Sequence, residues 1–178
     1  MTFDNFIIRQ LDFNDAAAFF QLLENNRHRI STYFPRLSGN TNTLGETRTY
    51  ITDRIGADEG KYIIYLVEEK GTKNLAGVIL LKDIDTIAMK RELGYFVDAN
   101  FKNRGVATKS VFIVSKFCFD SLNLNKVFLR IAEENIASQK VAEKCGFKRE
   151  GILRNDFMTL DGKLINTIYY GLLRDELR

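Results

Sequence analysis

The 178 residues contain one proline, one histidine and two cysteines. A lone imidazole, His28, cannot build a His-rich metal centre, and no neighbouring Cys or paired carboxylates complete one. No nucleophile-elbow sequence supports a Ser-His-Asp triad around it either, so His28 reads as a surface or loop residue. Cys118 and Cys145 lie far apart without a CxxC pattern, and Cys118 falls on an apolar helix, where a packed thiol is expected. Pro35 marks no boundary, and no repeat, low-complexity tract or linker interrupts the chain, so one domain over residues 1–178 is expected. No apolar run approaches a membrane span, and Asp4 and Asn5 interrupt any signal-peptide pattern. A cytoplasmic protein is the expectation, with no membrane partner. The net charge of +3 is too small for a nucleic-acid footprint.

What remains is an ordinary globular composition, 45% hydrophobic and 28% charged, in a chain long enough to bury a real core. Phe6 to Leu11 reads as a strand, and Asp12 or Asn14 is placed to cap a helix with Ala16, Phe19, Phe20 and Leu23 on its apolar face. Arg27 to Pro35 is polar with aromatic punctuation, and Ser38-Gly39-Asn40 reads as loop. Thr43-x-x-Glu46 has the form of a capping box for a second helix facing inward through Leu44, Ile51 and Ile55. Lys61 to Glu69 and Leu75 to Ile84 are nearly continuous apolar strands, which predicts cover on both faces. Asp161-Gly162 predicts a hairpin turn between Phe147–Thr159 and Lys163–Leu173.

The organising stretch runs from Arg91 to Ala132: an apolar strand through Val97, a loop Lys102-Asn103-Arg104-Gly105-Val106-Ala107, an apolar helix, and a strand Lys126 to Ile131. Such a unit should cross over right-handed onto a parallel neighbour. Gly105 permits close backbone approach, and a helix start offers unpaired N–H groups and the positive dipole end, which favour phosphate. Asn103 tolerates the left-handed backbone that such an anion-binding loop requires. The plain alternative is a glycine that merely punctuates a strand-to-helix turn.

With a second cluster, Asn135-Ile136-Ala137-Ser138 followed by Lys144-Cys145-Gly146-Phe147, this loop resembles the GNAT superfamily of N-acetyltransferases. The loop Lys102-x-x-Gly105-x-Ala107 corresponds to the family's pyrophosphate-gripping motif, with Lys102 in place of Gln or Arg and Asn103 in place of a common glycine. More narrowly, the chain resembles the branch that acetylates N-termini of ribosomal proteins, from Ile8 to Arg174. The resemblance implies an α/β fold of about seven strands, largely antiparallel, with one parallel pair splayed at the middle and helices on both faces. It implies acetyl-coenzyme A as co-substrate, no metal, and an amine acceptor; a homodimer is an open expectation.

By the same resemblance, Phe96 and Val97 would offer backbone groups to the pantetheine arm and the developing oxyanion. Lys102, Asn103, Arg104, Gly105, Val106, Ala107 and Thr108 would hold the pyrophosphate, with Asn135 at the cofactor's reacting end. Glu92, beside apolar Leu93, is the expected general base, with a water chain from Asn135 as alternative. Ser138 is expected to donate to the departing thiolate, because the tyrosine many members carry further along this helix is replaced by Ala142. Ser138 as a plain helix cap is the competing reading. Lys140 reads as a surface lysine.

Two function classes follow. One is an enzyme acetylating a primary amine: a protein N-terminus first, then a polyamine, amino acid or antibiotic. The other is a non-catalytic acyl-coenzyme A sensor, against which the polar residues Glu92, Asn135 and Ser138 argue. A nucleotide-binding module is a distant third, since neither G-x-G-x-x-G nor a Walker pattern is present.

Overall fold

The computed structural model describes residues 1–56 and 62–177. Among the described residues, eight strands form one sheet in the order β1-β2-β3-β4-β5-β6-β8-β7. They are β1 (Thr2–Phe3), β2 (Phe6–Gln10), β3 (Ile63–Glu69), β4 (Leu75–Asp85), β5 (Lys90–Val97), β6 (Lys126–Ala132), β7 (Lys148–Met158) and β8 (Leu164–Leu173). Every neighbouring pair is antiparallel except β5 and β6. The expected sheet is therefore present, with the two-residue β1 added. Lys61, the expected start of β3, lies outside the described residues.

Helices α1 (Ala16–Ile30), α2 (Pro35–Gly39) and α3 (Leu44–Gly56) cover one face, and α4 (Val106–Asp120) and α5 (Ile136–Lys144) cover the other. The alternation of strand side chains divides the core accordingly. Val78, Leu80 and Phe96 pack with α1–α3, whereas Ile79, Leu81, Leu93, Val127 and Leu129 pack with α4 and α5. Phe19 and Leu23 of α1 are wholly buried; each such side chain contributes about 1.5–3 kcal/mol relative to exposure.

Local signals set the helix starts. Asp12 accepts from the Asn14 N–H and Asp15 accepts from the Asp12 N–H, closing a capping box over a single 3-10 turn before α1. The Glu46 N–H donates to Thr43 Oγ1 at 3.1 Å as the box predicts, but the Glu46 carboxylate takes the Asn42 N–H instead of the Thr43 N–H. One reading is extended and one expectation is corrected. Residues 27–30 of the stretch read only as polar with aromatic punctuation continue α1, because Ile30 is buried in the core. Ser38 and Gly39 belong to α2, started by Pro35, whose fixed φ suits a first helical turn.

Cys118 and Cys145 are both buried, and burial pushes each thiol up to about 12. Since the thiolate is the reactive form, native protein at neutral pH should label with an aromatic disulfide reagent only as fast as it unfolds. Rapid labelling of either residue would contradict this packing.

Candidate active site

The parallel pair sets the site. Ladder pairing between β5 and β6 covers Lys90–Lys126, Arg91–Val127 and Glu92–Phe128, then stops. Beyond it the strands part, and a cleft opens between Gly94 and Tyr95 on one wall and Leu129 to Ala132 on the other. The wedge runs through the sheet, so its lining comes from both faces.

On the α1–α2 face the cleft is ionic and aromatic. Register places Lys82 of β4 directly across from Glu92, and Lys82 Nζ meets Glu92 Oε1 at 2.7 Å. From the opposite wall, Arg130 Nε donates to Glu92 Oε2 at 2.9 Å, and its terminal nitrogen reaches both Glu92 Oε2 and Asp83. Glu92 is 3% exposed, so a buried carboxylate is balanced by two cations that reach the cleft. Tyr33 and Phe34, after α1, form the rim. Phe34 stands edge-on to Phe96 at 5.7 Å, while burial, helped by Glu134, raises the Tyr33 phenol above its ordinary range.

On the α5 face the lining is polar and neutral. Asn135 is the N-cap of α5, its Oδ1 accepting from the Ser138 N–H at 3.2 Å. The cap is thus Asn135, and the Ser138 hydroxyl is not taken up by it. That hydroxyl instead lies 2.7 Å from the phenol oxygen of Tyr95. Ala142 is fully buried in the core.

Above the cleft, the loop into α4 has the expected backbone. Asn103 (φ 59°) and Gly105 (φ 74°) are both left-handed, and no side chain caps the helix at Gly105. The first-turn N–H groups, which an α-helix cannot pair internally, therefore face outward. A Cβ at position 105 would meet only Lys109 Cε at 3.9 Å, so there is room in front of the loop. This suits a phosphate-bearing ligand. Lys102 is exposed at this loop.

Three other residues expected at the site have different surroundings. The Arg104 guanidinium lies over Phe101, 4.8 Å from the ring centroid, and pairs with Glu69 at 3.1 Å, so it braces the loop through its side chain. The Thr108 carbonyl accepts from Cys145 Sγ at 3.2 Å. The Asp98 N–H donates to Ala76 O, and antiparallel alternation then turns the Phe96 backbone groups to β4 and those of Tyr95 and Val97 to the gap. The backbone of Phe96, expected to face the gap, thus faces β4 and its ring packs against Phe34; the Val97 carbonyl meets Arg29 at 3.4 Å.

Tyr95, Lys82 and Arg130 line the cleft and are residues that sequence reading missed. Arg130 carried a signal, since an arginine inside an apolar strand needs a partner. Lys82 could have been found by counting across the β4–β5 hairpin. Among the described residues, no group of three or more His, Cys, Asp or Glu is placed to hold a metal ion. No helix among them is long and apolar enough to cross a membrane.

Residues 5–148 match the family described as "Acetyltransferase (GNAT) domain". The chain is 28% identical over 180 residues to YdaF of Bacillus subtilis, provisionally named a ribosomal N-acetyltransferase, with 97% of this chain and 93% of that protein covered. Among solved structures, the ribosomal-protein-S5-alanine acetyltransferase of Vibrio fischeri superposes with a TM-score of 0.90 at 18% identity, covering 100% and 98% of the two chains. At that identity the likeness speaks for the fold. The spermidine N-acetyltransferase of Vibrio cholerae, solved with CoA and spermine, gives a TM-score of 0.81 at 25% identity over 97% of each chain.

Proposed function

This chain belongs to the GNAT family of N-acetyltransferases, and from that membership we propose that it acetylates the N-terminal α-amino group of a protein, a ribosomal protein foremost. The observation that carries the acceptor class is the charge of the cleft. Glu92, the one carboxylate lining it among the described residues, already has an oxygen on Lys82 and the other on Arg130. A polyamine brings several ammonium groups and needs free carboxylates to receive them. A peptide brings one ammonium group and a row of backbone carbonyls, for which Lys82 and Arg130 are suitable donors. Tyr33 and Phe34 then flank the first residues of the chain. The YdaF relationship supports the same acceptor, and the spermidine enzyme stands for the alternative.

Acetyl-coenzyme A supplies an acetyl group already activated as a thioester. The amides from Asn103 to Thr108 and the Lys102 ammonium hold its pyrophosphate, and Val97 presents backbone groups to its arm. Holding amine and thioester together in the wedge supplies much of the rate. An α-amino group has a reference pKa of about 8, so a water relay at Asn135 is sufficient to take its proton. Glu92 keeps Lys82 and Arg130 in place. Ser138 donates to the sulfur as it leaves.

The test is free-thiol release from acetyl-coenzyme A with peptides beginning Ser, Ala or Met, spermidine, free amino acids and aminoglycosides. The buried thiols of the protein itself add little background. Peptide-dependent release is expected; release with spermidine alone would overturn the acceptor assignment.

A further inference from the structure

We propose that Tyr95 is a positioning residue for Ser138, its phenol hydroxyl donating to Ser138 Oγ so that the serine proton points into the cleft. The inference rests on the role given to Ser138 above and names the partner that makes it effective.

The geometry is specific. Tyr95 projects from β5, one wall of the wedge, while Ser138 sits in the first turn of α5, so the pair joins two elements that both line the cleft. The phenol oxygen lies 2.7 Å from Ser138 Oγ and 3.2 Å from the Ser138 carbonyl. The carbonyl can only accept, so the phenol's single proton has two acceptors on one residue. The 2.7 Å approach to Oγ lies within the usual O–H···O range and the 3.2 Å approach to the carbonyl lies beyond it, which assigns the proton to Oγ. The Ser138 backbone is separately fixed by the Asn135 cap, so the phenol is not needed to start the helix.

A serine hydroxyl has one proton. If it is given to Tyr95, none is left for the sulfur; if Tyr95 donates, the serine proton is free for the cleft. Burial raises the Tyr95 phenol well above its ordinary range, which keeps it a donor throughout the range in which the enzyme would work. In the transfer, the amine nitrogen bonds to the acetyl carbon, and the carbon–sulfur bond breaks with its electron pair going to sulfur. Ser138 hydrogen-bonds that sulfur, the amine proton leaves to water, and the thiolate takes a proton from solvent. No proton need leave Tyr95.

The experiment compares the wild-type chain with Tyr95→Phe, Ser138→Ala and the double variant. The first readout needs no acceptor: the pH titration of coenzyme A bound to each protein, followed by thiolate ultraviolet absorbance. A thiolate receiving the Ser138 hydrogen bond should titrate below the free thiol, whose reference value is about 8.5. Both single variants should move that titration up by about half a pH unit, the scale of one hydrogen bond. The second readout is steady-state turnover of an alanine-initiated peptide. Tyr95→Phe should lower kcat about tenfold, with KM for acetyl-coenzyme A within about twofold. The double variant should be no slower than Ser138→Ala, because a residue acting through Ser138 has nothing left to act on.

An unmoved titration in Tyr95→Phe, or losses that multiply in the double variant, would overturn the inference. If Ser138→Ala moves the titration and Tyr95→Phe does not, Tyr95 alone is removed and Ser138 keeps its role. If Ser138→Ala changes neither readout, the Ser138 assignment itself falls, and the inference with it.

Discussion

Replacing Gly105 with glutamate should abolish acetyl-coenzyme A binding, seen as loss of the thermal shift that the wild-type protein shows with millimolar cofactor. Three effects act together. At φ 74° any side chain pays for a left-handed backbone, about 1–2 kcal/mol. The added carboxylate enters the open space before the helix, where only Lys109 Cε stands at 3.9 Å. There it engages the first-turn amides in the phosphate's place, and its own charge repels the phosphate. Loss of a few charge-assisted hydrogen bonds at about 1.5–3 kcal/mol each puts the affinity loss at a hundredfold or more. Gly105→Ala separates the causes: it keeps the backbone strain, adds no charge and should lower the melting temperature slightly while retaining the shift. An unaltered shift in the glutamate variant would remove this loop from the cofactor site.

Glu92→Gln should damage stability more than chemistry. The carboxylate is 3% exposed and receives Lys82 and Arg130 on separate oxygens. Glutamine offers one oxygen and turns an NH2 group towards a cation. Losing charge-assisted bonds costs about 1.5–3 kcal/mol each when buried. Lys82 and Arg130 are 25% and 32% exposed in their side chains, so water relieves part of the penalty and about 2 kcal/mol is expected. In a chain of this size that lowers Tm by about 4–8 °C. Turnover per folded molecule should stay within about tenfold of wild type. A general base would instead cost about 10²–10⁴-fold, and a loss of that size without a stability change would return Glu92 to proton removal.

The sequence carried the strand–loop–helix–strand unit because its signals are local: apolar runs, a glycine at a turn, and an Asn-x-x-Ser at a helix start. The hairpin at Asp161-Gly162 was legible for the same reason, with Gly162 at φ 80°. Helix ends were less so. The polar stretch from Arg27 hid the continuation of α1, since the Arg27 guanidinium donates to the Ser38 and Thr41 carbonyls, a contact across a loop that no local pattern announces. The same reasoning explains Tyr95. Strand periodicity assigns it a face, but only the crossing of α5 over β5 puts Ser138 beside it. Ser138 itself showed two roles at the sequence level, and the Asn135 side chain removed one by taking the cap.

The divergence of β5 from β6 has a further consequence for how the sheet is protected. Its outer rims carry guards: β1 is two residues long, and β7 sets exposed Lys148, Arg149, Glu150, Arg154 and Asp156 among its exposed Ile152, Leu153 and Met158. Charge and brevity are the usual guards of such rims. The seam inside the sheet has no such guard. There, beyond Glu92 and Phe128, the two strands border an unzipped interval, and the backbone groups of Tyr95 and Val97 turn towards it rather than towards a paired strand. The adhesive edge has been moved from the periphery to the interior, where a slender amide-bearing guest can lie down as a temporary strand. If acetyl-coenzyme A is held there as proposed, each catalytic cycle would close and reopen the sheet itself.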